Sequence, residues 1–185
     1  MTPAPALRTP EETARRLLVL AAVSGVAAGL DREAIVDWLR QEGLWSAASP
    51  AERRFLDNPQ PAERDTVYFS WQMEAVYALG WALGLIPALD PPVEQASIGD
   101  ILEQVPGPGD AVAGFLAARA LRPAADIHAA AQAALDAHAL CRAARRRGEP
   151  ERHGYDIEVA QERHRALNWL TRYGDADWDD VATDT

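Results

Sequence analysis

The sequence predicts an all-α protein, an irregular bundle of about seven or eight helices with a docked C-terminal tail. Three observations predict it. Helix-start signals recur at Thr9, Asp31, Ser49 and Asp156. Apolar residues return at helical spacing between them. No run alternates β-branched and aromatic residues as a strand would. The chain has 185 residues, which suits one helical domain over 1–185 and buries about 70% of the unfolded surface without a staple.

The elements follow in order. Thr9-Pro10-Glu11-Glu12 is a capping box with proline at the first helical position, and it opens a helix ending near Gly29. Asp31 caps a second helix, which Gly43 stops. Ser49-Pro50-Ala51-Glu52 repeats the capping box and starts a third, ended by Pro59. Pro61 then opens one long apolar helix to about Ile86. Residues 87–110 hold five prolines and three glycines. They read as a hinge or long connection with one short helix near Ile98 to Val105. Ala111 to Leu121 is helical, Pro123 starts an alanine-rich helix to about Arg147, and Asp156 caps the last, through Tyr173 to Gly174.

Composition excludes several classes. Net charge is −10, and all 18 basic residues are arginine. This acidic balance argues against nucleic-acid binding and fits a basic protein partner. The single cysteine, Cys141, allows no internal disulfide and fits the cytoplasm. Two glutamates before the first apolar run spoil a signal peptide. Val67 to Ile86 approaches the length of a membrane span, but Glu74 sits in its middle, and a central acid costs on the order of 3 kcal/mol on insertion scales. A buried core helix is the better reading, so no membrane is expected.

The residues that bear chemistry lie mostly in the last two dozen positions. Val159, Arg163, Ala166 and Leu170 recur at helical spacing, as do Ala160, His164, Leu167 and Thr171. Arg163 and His164 therefore lie on or beside the core-facing stripe, with Asn168 one turn on. Their first reading is polar ties inside the core, and their second a pocket. Glu74 is either an inter-helix tie to an arginine such as Arg53, Arg54, Arg119, Arg122 or Arg163, or a general acid or base. Asp175, Asp177 and Asp179 begin like a calcium loop, but Asp180 stands where the loop needs glycine. They are weak metal candidates, and Trp178 and Val181 read as anchors that strap the tail to the body. His138 and Cys141 face together but lack a second ligand pair. Arg145-Arg146-Arg147 reads as a complement to a helix C-terminus. No cofactor motif is present.

The stretch ERHRALNWLTRYGDADWDDVATDT closely resembles the terminal signature of a family of unknown function, domain of unknown function 4272. The residues that carry it are Glu162-Arg163-His164, Ala166 to Leu170 with Trp169, Trp178-Asp179 and Thr183-Asp184-Thr185. Glu52 to Leu56, Trp71, Glu74-Ala75, Trp81 to Gly84 and Leu121 to Pro123 are compatible with it. The resemblance implies a similar helical fold and brings no activity.

Three functions are weighed, two of them in the foreground. One is a non-catalytic binding or interaction module, in one form immunity- or antitoxin-like, with a basic partner. The other is an enzyme or small-ligand binder with a polar pocket between the long central helix, the last helix and the acidic tail. Its candidate catalytic residues are Glu74 and His164, and its binding residues Arg163, Asn168, Trp169, Trp178 and Asp179. A metal-dependent hydrolase on the tail aspartates is a third and weaker reading.

Overall fold

A computed structural model describes residues 6–151 and 153–185. Among these the secondary structure is helical, with no strand. The first helix, α1 (Pro10–Ala27), starts at the expected box: Thr9 Oγ1 accepts from the Glu12 amide at 3.1 Å, and Glu12 Oε2 accepts from the Thr9 amide at 2.7 Å. Its apolar residues surround it on nearly all sides, so it forms the centre of the bundle. Leu17, Leu18, Val19, Leu20 and Val23 are all buried.

Around α1 pack α2 (Arg32–Gln41), α3 (Pro50–Asp57), α4 (Glu63–Ser70) and α5 (Met73–Ala82). The caps of α2 and α3 fall where the sequence places them, on Asp31 and Ser49. The long helix expected from Pro61 to Ile86 is instead two. At Trp71 and Gln72 the backbone tightens to three-residue bonds, Gln72 amide to Phe69 carbonyl at 3.3 Å and Glu74 amide to Trp71 carbonyl at 3.0 Å. The two halves have different tasks. In α4 Phe69 is buried and meets Phe55 at 4.3 Å, whereas α5 is buried along its length from Glu74 to Ala82. The Ser24 hydroxyl donates to the Phe69 carbonyl at the break, at 3.3 Å.

Two further expected helices are shorter than their sequence bounds. They are α6 (Gly99–Leu102) and α7 (Ala113–Ala117). The first carries Ile101, wholly buried, which plugs into α5 where Gly80 leaves room. A Cβ on Gly80 would lie 2.6 Å from Ile101 Cδ1. Gly80→Ala is therefore expected to lower stability by about 1–3 kcal/mol in urea denaturation, despite alanine's better helix propensity. A stabilised variant would show that α6 is not seated on α5.

The alanine-rich helix α8 (Ala124–Arg147) runs as expected and ends on Gly148 in the left-handed conformation, φ 66°. Its small residues let it lie close along α9 (Ile157–Leu170), around a small second core of Ala137, Cys141 and Ala160. The last helix stops at Leu170, before the expected Tyr173. Thr171 Oγ1 donates back to the Leu167 carbonyl at 2.8 Å, and Arg172 takes a left-handed turn at φ 55°. The tail then folds back over the body in two short 3₁₀ turns, Tyr173–Asp175 and Trp178–Asp180.

Candidate functional site

From Glu162 to Asn168 the polar residues of α9 are buried, and the candidate site residues divide into three separate clusters. The first is Glu74 with Arg163. Glu74 is 0% exposed. Its Oε2 accepts from Arg163 Nε at 2.9 Å, and its Oε1 accepts from the Ala96 amide at 2.8 Å. Arg163 Nη1 donates onward to the Asp90 carbonyl at 2.6 Å, and its guanidinium lies 4.7 Å from the Tyr77 ring centre. Tyr77 donates its hydroxyl to Asp90 Oδ2 at 3.0 Å, and burial raises its pKa. Both carboxylate oxygens are thus committed to tying α5 to α9 and to the 87–98 connection.

The second cluster is His164 with Asn168 and His138. The Asn168 amide nitrogen is 2.9 Å from the Ala182 carbonyl and 3.0 Å from His164 Nε2. A carbonyl only accepts, so the Asn168 NH₂ must face it, and its second hydrogen goes to His164 Nε2. His164 therefore carries its proton on Nδ1 and donates to His138 Nδ1, 3.1 Å away. Burial lowers the pKa of both rings, that of His138 to about 4. Both rings are therefore neutral at pH 7.

The His138 shift has a defined pH consequence. Its folded pKa of about 4 lies below the ordinary 6.5. Between those values the unfolded chain takes up a proton that the folded chain refuses. Stability present at neutral pH is lost as pH falls from 6.5 toward 4, by roughly 3 kcal/mol over the span. Thermal unfolding at neutral pH and at about pH 4.5 checks this, since that window lies between the two pKa values. His138→Gln should show a clearly smaller fall than the parent, and equal falls would contradict it.

The third cluster is the tail. The buried Trp178 ring lies between two guanidiniums, 5.0 Å from Arg16 and 4.6 Å from Arg165. It meets Trp169 edge-on at 5.8 Å, and Arg8 covers the Trp169 ring at 4.5 Å. Asp179 Oδ2 accepts from the Ala51 amide at 2.9 Å, so this carboxylate sits on the N-terminus of α3. Asp175 pairs with Arg172 at 3.1 Å, while Asp177 is exposed. Among the described residues no group of three or more histidines, cysteines or carboxylates is placed to hold a metal. Trp169, Trp178, Asp177 and Asp179 border a cleft of about 660 Å³ together with Arg15, Arg53 and Arg54. Arg15 pairs with Glu11 at 3.0 Å, and Arg53 Nη2 donates to the Ser46 carbonyl at 2.9 Å.

A family model described as Domain of unknown function (DUF4272) matches residues 2–181. The chain belongs to the DUF4272 family. No curated protein and no solved structure matches it. In this DUF4272 protein the terminal signature thus maps onto three ties. Glu74–Arg163 holds the connection, His164–Asn168 holds Ala182, and Trp169–Trp178–Asp179 holds the strap. The structure does not bring them into one cavity. Trp169, Trp178 and Asp179 border the strap cleft, Arg163 edges two others, and Glu74 and His164 are sealed.

The partners of four residues in these ties were not legible in the sequence. Arg16 and Glu52 form a buried pair at 2.6 Å, Arg165 donates to the Tyr68 hydroxyl and the Trp178 carbonyl, and His138 is bound across to α9. A signal for Arg16 exists, because it sits in α1 between core positions Thr13, Leu17 and Leu20. A further feature is an apolar groove of about 490 Å³. Leu18 and Ala22 of α1, Ile35 and Trp38 of α2, and Leu102 and Val105 are among the residues that wall it. Trp38 Nε1 donates to the Asp110 carbonyl at 2.9 Å and Glu42 accepts from the Val112 amide at 3.0 Å, so its walls are fixed to one another. Among the described residues no helix is long and apolar enough to cross a membrane.

Proposed function

We propose that this protein is a non-catalytic interaction module whose groove receives an apolar-faced, basic segment of a partner protein. The observation that carries the reading is the preformed groove itself. It is lined almost wholly by apolar side chains, and Leu30 and Leu102 stand exposed within it. Exposed acids sit on the elements that wall it, Asp31 and Glu33 at the start of α2 and Asp100 and Glu103 at α6. An amphipathic helix with a basic back fits such a surface, its apolar face in the groove and its charges toward the acids. The net charge of −10 supports the same choice of partner and disfavours nucleic acid or an anionic membrane. An immunity- or antitoxin-like role, in which an acidic helical protein masks a basic one, is one form of it. The cytoplasm suits the reading, since Cys141 is the single cysteine and no internal disulfide is possible.

The test uses a synthetic amphipathic leucine/lysine helix as probe and amide shift mapping as readout. The expected shifts centre on Ile35, the Trp38 indole and Leu102. Leu102→Asp should weaken the probe by roughly tenfold, the scale of about 1.4 kcal/mol for one lost apolar anchor. A leucine/glutamate helix that binds equally well, or shifts centred on the strap cleft, would overturn the reading.

A further inference from the structure

His138 raises a question that the ties do not answer. The chain of donors from Asn168 through His164 fixes its Nδ1 as an acceptor. A neutral imidazole carries one proton, so that proton must sit on Nε2. Neutrality is secure, because burial holds the ring's pKa at about 4. Yet Nε2 is buried and has no hydrogen-bond partner in the protein. A buried N–H without a partner is unfavourable and rare. Something else is needed to accept from it.

The surroundings say what. His138 is 1% exposed and lines a cleft of about 380 Å³ with Arg142, Arg145, Arg146, Ile157 and Gln161. The three arginines stand four, seven and eight residues after His138, which places them on one face of α8. Among the described residues no ion pair ties any of them to an acid, unlike Arg16, Arg163 and Arg172. The end of α8 carries a partial negative charge of about half an electron. Three full guanidinium charges outweigh that half charge, while Glu151, Asp156 and Glu158 act on the same part of α8 from beside Cys141.

We propose that this cleft is a binding site for a phosphate-class oxyanion. His138 Nε2–H donates from the floor, and Arg142, Arg145 and Arg146 close over the remaining oxygens. Guanidiniums suit this ligand because their paired N–H groups match two oxygens at once. Gln161 borders the rim. A single N–H at the base favours an anion that points one oxygen down, as a phosphate or phosphomonoester does. The site also reaches the tail. The anion holds the proton on His138 Nε2, which keeps His164 donating and Asn168 bound to the Ala182 carbonyl.

Inorganic phosphate is the first probe, and the imidazole nitrogens read by ¹H–¹⁵N correlation report it. Phosphate should shift the His138 Nε2–H resonance saturably, with a smaller shift at His164. Sodium chloride at matched ionic strength should leave both unchanged. Arg145→Gln with Arg146→Gln removes two exposed side chains without touching the buried ring. This double variant should weaken phosphate by at least roughly tenfold, the loss expected for one charge-assisted bond. Glycerol phosphate is the second arm. Tighter binding of the ester assigns the site to phosphorylated metabolites, and equal binding assigns it to free phosphate. A His138 resonance that ignores phosphate, responds equally to chloride, or responds unchanged in the double variant would overturn the proposal.

Discussion

Glu74→Ala is expected to destabilise the protein by about 3–5 kcal/mol, because it leaves Arg163 charged and unpaired in the core. The carboxylate also holds the Ala96 amide, so its loss frees the 87–98 connection at one of its anchors. Urea denaturation measures the loss. A second variant separates the charge from the fold. Replacing both partners by apolar residues, Glu74→Leu with Arg163→Met, should recover a large part of the stability, since the pair's desolvation cost is then removed with its attraction. A single variant that unfolds within about 1 kcal/mol of the parent would show that the pair is exposed to water.

Trp178→Ala should have an effect of the same size, about 3–5 kcal/mol for a buried tryptophan. The reason differs. The ring fills the space between Arg16 and Arg165 and abuts Trp169, so its removal opens a cavity beneath the strap. Arg165 donates to the Trp178 carbonyl, and Asp179 lies on the α3 amide of Ala51. Detachment of the tail should therefore also weaken α3, visible as faster amide exchange at Ala51 and Glu52. Trp178→Phe keeps a ring between the guanidiniums and should restore about half of the loss, as expected for a volume-reducing but aromatic replacement. An alanine variant with parental stability and unchanged exchange at Ala51 would contradict the strap.

The parts of this structure that are local in sequence were legible. The capping boxes at Thr9 and Ser49 and the caps at Asp31 and Asp156 fall where their side-chain chemistry puts them. The inward stripe of α9 follows from its spacing, and Trp178 as an anchor follows from a large apolar ring among acids. The break at Trp71 and Gln72 was not legible, since neither proline nor glycine marks it and the apolar run continues through it. It depends on α4 lying half-exposed while α5 enters the core. The His138–His164 contact was also hidden. Its residues are 26 positions apart, and sequence spacing pairs His138 with Cys141 on the same helix instead. Only the close packing of α8 on α9 brings the rings together. The clefts were illegible for the same reason, because each is walled by elements distant in the chain.

The central claim is that the signature residues hold the fold while a separate groove holds the partner. The most direct test is the affinity of Glu74→Gln protein for the leucine/lysine helix, measured beside its urea midpoint. The account predicts a lowered midpoint with an affinity within about twofold of the parent, a difference of only about 0.4 kcal/mol. A parental midpoint with the helix no longer bound would contradict it, and would place Glu74 in the binding machinery itself.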